Sequence, residues 1–199
     1  MNVHGAPEEV LAIPTARDTG AEASSAMNEP VLGCRAWLVE RGRDGYRFWS
    51  VLVPARWADA SGAWTRAVCR PQAGIGSPHT PHDDATVPEL DCTCGLYAYR
   101  SLSLGGYDGR LAQADDTDLR IVWGAVAGTG RVLANRDGWR AQFARPVAIL
   151  RESRPDAQLR AMADQLGIPL VSSSEMERVA SQGWRPWRTN TMERLELSV

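Results

Sequence analysis

The sequence predicts an α+β fold, a curved antiparallel β-sheet or small barrel with a C-terminal helix–strand–helix. Three observations predict it. Runs rich in aromatic and β-branched residues recur between Gly-bearing loops from residue 31 to 150. Small residues (Gly124, Ala125, Ala127 and Ala141) sit within the later runs, as a tightly curved sheet with closely approaching backbones requires. Beyond residue 151 the period changes, and Leu159, Met162, Ala163 and Leu166 follow the i, i+3, i+4, i+7 spacing of a helix. The 199 residues suit one medium domain, or a domain with a tail.

Residues 1–28 are rich in Ala, Glu, Ser, Thr and Pro and contain no aromatic residue. They offer too little apolar surface to offset the entropy of ordering, and are expected to be a flexible leader. Residues 29–199 form the single domain. Its β-rich part, 31–150, opens with a hairpin: residues 34–40, a Gly-bearing loop at 41–45, and residues 46–53. A short strand over 63–70 ends near Cys69. Residues 71–91 have little periodicity, and an irregular segment of that length inside a domain is normally functional, disordered or tied down. Residues 96–99 resume as a strand or a short helix.

The region 119–150 reads as a three-stranded meander. Its strands are 119–127, 131–135 and 139–144, the last extending past Pro146. Gly128-Thr-Gly130 and Arg136-Asp-Gly138 are its turns, with Gly138 expected at a left-handed position. In the C-terminal subregion, 151–199, Pro155-Asp156 starts a helix that Gly167 stops. Residues 168–171 make a short strand. Ser172 and its neighbours carry N-cap chemistry for a second helix to about Gln182. Residues 192–199 read as an edge strand.

Charge and hydropathy argue against several classes of function, without excluding a local Arg patch that binds nucleic acid. A formal charge of −2 does not suit a protein that coats nucleic acid. No apolar run approaches the ~20 residues of a membrane helix. The start of the chain lacks the basic and apolar regions of a signal peptide, so a cytoplasmic location is the expectation. All 22 basic residues are Arg, in keeping with a GC-rich genome. The eight Trp residues (37, 49, 57, 64, 123, 139, 184 and 187) are mostly core anchors, each with an indole N–H to satisfy.

The strongest chemical signal is Cys69, His79, His82, Cys92 and Cys94. Thiolate and imidazole are the ligands zinc prefers, and a closed tetrahedral site takes four. Cys69, the Cys92/Cys94 pair and one of the two histidines would supply them, and would tie the long loop 69–95 at both ends. The same residues admit other readings. Buried free cysteines behave as small hydrophobes, and a disulfide from Cys69 needs an oxidising compartment. A small thiol- or zinc-dependent enzyme could also use Cys92 or Cys94 with His79 or His82. Cys34, within a strand, is assigned to the core. Two further candidates are an Arg/Trp sheet face and the tail. Arg131, Arg140, Trp123 and Trp139 would bind a small anionic ligand by stacking and pairing. The segment Trp184–Arg188 would dock on a protein partner.

Cys92-Thr-Cys-Gly-Leu-Tyr-Ala98, Val122-Trp-Gly-Ala-Val126, Gly130-Arg-Val132 and Gly138-Trp-Arg-Ala141 follow one another in this order. Together with Arg35-Ala-Trp37, they resemble a family of uncharacterised actinobacterial proteins. That family carries C-x-C-G-[I/L]-Y-A before V-x-G-x-V, G-x-V and G-[W/Y]-R-A. The resemblance covers residues 33–150 and implies a shared domain, without an activity to transfer. The reading reached from sequence is a cytoplasmic binding or regulatory module with a structural zinc site. An enzyme and an adaptor are the alternatives.

Overall fold

Residues 22–51, 56–57, 63–69, 81, 83, 85–104, 119–151 and 156–181 are described by the computed structural model. The strands are β1 (Glu22–Gly42), β2 (Gly45–Ser50), β3 (Arg56–Trp57), β4 (Thr65–Arg66), β5 (Leu96–Tyr99), β6 (Leu119–Ala134), β7 (Gly138–Leu150) and β8 (Leu170–Val171). The helices are α1 (Ala157–Leu166) and α2 (Ser173–Ser181). One sheet contains all of these strands, and every pairing is antiparallel except β7–β8. Neighbours β1, β5, β7 and β6 close on one another as a four-stranded ring. The architecture is the α+β curved sheet with a C-terminal helix–strand–helix that the sequence predicts.

The first hairpin forms as expected, with Gly42 opposite Gly45 and Trp37 opposite Ser50. β1 begins earlier than expected. Residues 22–28, placed by composition in a flexible leader, pair with the far end of β6, from Glu22 opposite Ala134 to Met27 opposite Gly130. Backbone hydrogen bonds to a strand more than 100 positions away order them, and side-chain composition does not report such bonds.

The expected meander is instead one long hairpin. Gly128-Thr-Gly130 does not turn the chain, because β6 runs through it to Ala134. Thr129 faces Phe143 and Val132 faces Ala141, so β6 carries one extra residue there. Gly130, at φ 77°, is the left-handed residue of that bulge. A second bulge lies on β7, between Pro146 opposite Val126 and Ala148 opposite Ala125. Pro146 cannot donate to a ladder, and a bulge is where a strand accommodates one. The true turn is Asn135–Gly138. Asn135 Oδ1 accepts from the N–H groups of Asp137 (2.9 Å) and Gly138 (2.7 Å).

Two apolar layers flank the sheet. In one, Trp37 is fully buried and meets Phe48 and Trp57 edge-on, at centroid distances of 6.0 and 5.7 Å. Helix α1 closes this layer with Leu159, Met162, Ala163 and Leu166, the residues whose spacing predicts it. In the other layer, Leu32, Cys34, Trp123 and Leu150 pack with Met176, Val179 and Ala180 of α2.

Local signals set the helix ends. Ile168 N–H bonds to Ala163 O (3.0 Å) past the left-handed Gly167, a Schellman stop. Ser172 and Glu175 form a reciprocal capping box: Ser172 N–H donates to Glu175 Oε2 (2.7 Å) and Glu175 N–H to Ser172 Oγ (3.3 Å). Asp156 caps α1, accepting from the N–H groups of Gln158 and Leu159 and pairing with Arg120.

Partial burial pushes the Asp156 pKa up, but the Arg120 guanidinium and the two backbone N–H groups outweigh it and hold the carboxyl below its ordinary value. A depressed folded-state pKa contributes stability above the unfolded value, and that contribution is lost as pH falls through the folded value. Asp156→Ala is therefore expected to cost about 1 kcal/mol in urea unfolding at neutral pH. The deficit should shrink once pH drops below about 4. A deficit indifferent to acidification would mean that the carboxylate charge does not cap the helix.

Candidate metal centre

One edge of β7 is shared by several strands in succession. Residues 138–141 pair with β5, from Gly138 opposite Tyr99 to Ala141 opposite Leu96. Phe143 and Ala144 then pair with β4, and Ala67 N–H extends that ladder to Gln142 O (2.8 Å). The chain leaving β4 and the chain entering β5 thus meet beside residues 140–142. Cys69 lies on the first and Cys94 on the second.

Alternation brings Cys69 inward, since Ala67 is buried, Val68 is 48% exposed and Cys69 is buried again. Cys92 and Cys94 come from the approach to β5. Asp83 starts this approach with a turn, its carbonyl accepting from Thr86 N–H (2.9 Å) and its carboxylate from Ala85 N–H (2.9 Å). Val87 is fully buried beneath the loop. A second turn, Cys92 N–H to Glu89 O (3.3 Å), sets up the C-x-C segment.

The three sulfurs converge. Cys69, Cys92 and Cys94 Sγ all lie within 4.8 Å of one another, and the Cys69–Cys92 separation is 3.8 Å. A disulfide requires about 2.0 Å, and none of the four cysteines is disulfide-bonded. With metal–sulfur bonds of about 2.3 Å, the edge of a tetrahedral thiolate site is about 3.8 Å. Backbone donors point at the sulfurs, with Glu89 N–H 3.4 Å from Cys94 Sγ and Cys94 N–H 3.3 Å from Cys92 Sγ. Such N–H···S bonds stabilise thiolate ligands. This arrangement is a three-cysteine cluster able to hold a metal ion.

Every carbonyl of the C-x-C segment is also held. Arg140 donates to Cys92 O and to Cys94 O (3.1 Å), and Tyr97 O–H donates to Thr93 O. The guanidinium carbon of Arg140 lies 5.8 Å from the centroid of the Tyr97 ring. Gln142 Nε2 reaches Ala85 O (3.4 Å), and Arg131 pairs with Glu89 (3.4 Å). Strands β5 and β7 thereby clamp the loop on which two of the sulfurs ride.

Burial first, with the neighbouring Cys92 and Cys69, pushes the Cys94 thiol up to about 12 against the opposing Glu89 N–H. A thiol shifted this way is a poor nucleophile. It becomes a ligand when a cation displaces its proton.

The structure brings together three of the five residues proposed as metal ligands. His79 and His82 lie outside the described residues, as does the Trp184–Arg188 tail. Cys34 is fully buried in the opposite layer, where burial first and Glu177 second push its thiol up to about 12. The four residues proposed as an anion-binding face do not share an accessible surface. Trp139 is buried and donates its indole N–H to Leu32 O (3.0 Å). Trp123 is buried in the α2 layer, and Arg140 is 2% exposed beneath the cysteine loop. Strand alternation puts Trp139 and Arg140 on opposite faces, but ring closure and the loop cover both. Arg131 alone of the four is partly exposed, and Glu89 occupies it.

Sequence reasoning did not anticipate Tyr97 and Gln142, nor Arg140 in its role beneath the loop. The available signal was proximity in the pattern, since Tyr97 opens the strand that follows C-x-C directly. Scans against family models, curated proteins and solved structures find nothing that matches this chain.

Proposed function

We propose that this protein is a binding or regulatory module of the cytoplasm, built around a structural zinc ion held by Cys69, Cys92 and Cys94. His79 or His82 supplies the fourth donor. The observation that carries the reading is the convergence of three sulfurs from two chain segments within 4.8 Å of one another, with the Cys69–Cys92 pair at the edge length of a tetrahedral thiolate site. Held carbonyls, N–H···S bonds and buried thiols favour a rigid, closed centre over an exposed reactive cysteine. Zinc suits this donor set because thiolate and imidazole together are its preferred ligands. Such an ion would join the end of β4 to the start of β5 across the Pro- and Gly-rich loop, limiting the freedom of that loop.

Metal content of protein purified under reducing conditions tests this. One tightly held zinc per chain is expected, with Cys69, Cys92 and Cys94 protected from thiol reagents until a chelator is added. A metal-free folded protein whose three thiols titrate freely would overturn the proposal.

A further inference from the structure

Three thiols in one place can react with one another as well as hold an ion, and here they are not equivalent. Cys92 is the one of the three that is partly exposed, whereas Cys69 and Cys94 are buried. At 3.8 Å the sulfurs of Cys69 and Cys92 are near contact, and a covalent bond takes a further approach of about 2 Å. These two cysteines ride on different segments, the chain leaving β4 and the chain entering β5. Cys92 and Cys94, by contrast, flank a single residue, and the carbonyls of Cys92, Thr93 and Cys94 are all held by Arg140 or Tyr97. That backbone is not free to turn one sulfur of the C-x-C segment onto the other. Cys34 is fully buried and belongs to the opposite layer.

We infer that Cys92 is a site of reversible oxidation by hydroperoxides, that Cys69 is its resolving partner, and that Cys94 stays a thiol. Cys92 Sγ attacks the outer oxygen of the peroxide, the O–O bond breaks, and the thiol proton passes to the departing alkoxide. The products are a sulfenic acid and an alcohol, or water when the oxidant is hydrogen peroxide. Cys69 Sγ then attacks the Cys92 sulfur, the S–O bond breaks, and hydroxide leaves with the Cys69 proton as water. Two thiols and one hydroperoxide thus give one disulfide, one alcohol and one water, with two electrons passing from sulfur to oxygen. A transient disulfide of this kind does not require an oxidising compartment. Hydrogen peroxide is smaller than an alkylating reagent, so the partial exposure of Cys92 admits it. The pairing stands on the sulfur geometry, and its consequence for the ion rests on the metal reading above. Once two of the sulfurs are bonded to each other, one thiol ligand remains and the ion is released. The new bond ties the same two segments that the ion joined, so oxidation exchanges one cross-link for another.

Hydrogen peroxide treatment of the full chain, loaded with zinc and freed of reductant, tests this. Remaining thiols are then alkylated in denaturant and located by tandem mass spectrometry, while a chromogenic indicator reads released zinc. Cys69 and Cys92 are expected to be lost together with a mass decrease of two hydrogens, and one ion should leave for each disulfide formed. Cys94 and Cys34 should remain open to alkylation, and dithiothreitol with added zinc should restore the starting state. Cys69→Ser, which lacks the resolving thiol, should instead accumulate a dimedone-reactive sulfenic acid at Cys92. Cys34→Ser should form the same disulfide as the native chain. A Cys92–Cys94 disulfide, a bond to Cys34, or progression to sulfonic acids without any disulfide would overturn the inference. Three thiols left unchanged by excess peroxide would do the same. If Cys69→Ser does not fold, the thiol map of the native chain decides alone. A native protein that holds no ion would remove the metal reading, and the same map would still decide the pairing.

Discussion

Cys94→Ser is expected to abolish metal retention and to lower the stability of the fold severely, whereas Cys34→Ser should do only part of the second and none of the first. Both side chains are buried, and burial raises both thiols to about 12. They differ in company. Cys94 Sγ belongs to the three-sulfur cluster and accepts from Glu89 N–H, whereas Cys34 packs against aliphatic and Trp side chains of the α2 layer. An ion present at a thousandfold excess over its Kd stabilises the folded state by about 4 kcal/mol. Losing it from a chain of this size should lower Tm by roughly 8–16 °C. Burying a hydroxyl at position 34 should cost about 1–3 kcal/mol and leave the ion in place.

Thermal unfolding with and without a chelator distinguishes the two. The native protein and Cys34→Ser should each lose stability on chelation, and Cys94→Ser should not respond. A chelator-sensitive transition surviving in Cys94→Ser would remove Cys94 from the ligand set.

Features written in local chemistry were legible in the sequence, and features created by closure of the sheet were not. Asp156, Gly167 and the Ser172–Glu175 pair act within one helical turn, so the residues that mark each helix end also make its capping bonds. The three cysteines were legible because soft donors are few, and two of them flank a single residue after a segment too long to be idle. Gly128-Thr-Gly130 was not. A left-handed glycine serves a turn and a bulge equally well, and only the register against Phe143 and Ala141 distinguishes them. Arg140 was misread for a related reason. Strand alternation presumes that one face meets water, but the four-stranded ring buries Trp139 on one side while the cysteine loop covers Arg140 on the other. The strand character of residues 22–28 depends wholly on β6, a partner that no local pattern announces.

Gly138 shows how the ring and the three-cysteine cluster are joined, and Gly138→Ala is expected to damage both. The turn reading placed it at a left-handed position, but its φ is not among the positive ones. The structure demands glycine there for another reason. A Cβ at 138 would lie 1.9 Å from Ala98 O and 2.9 Å from Tyr99 Cα, both backbone atoms of β5. Neither can swing aside as a flexible side chain would, so β5 must separate from β7. Overpacking ordinarily costs about 1–3 kcal/mol, and a clash with paired backbone should reach or exceed the top of that range.

Gly167→Ala provides the contrast. At φ 63° it incurs left-handed strain, but its Cβ would meet nothing within 4 Å, and a loss of about 1–2 kcal/mol is expected. The two variants should diverge further at the metal site. Strand β5 begins two residues after Cys94, and its pairing of Leu96 with Ala141 is part of the scaffold that sets the sulfur positions. Displacing β5 should therefore weaken zinc retention in a chelator competition, while the Gly167 variant should bind as the native protein does. Equal denaturant midpoints and equal zinc affinities in the two variants would mean that the β5–β7 contact at Gly138 neither closes the ring nor supports the centre.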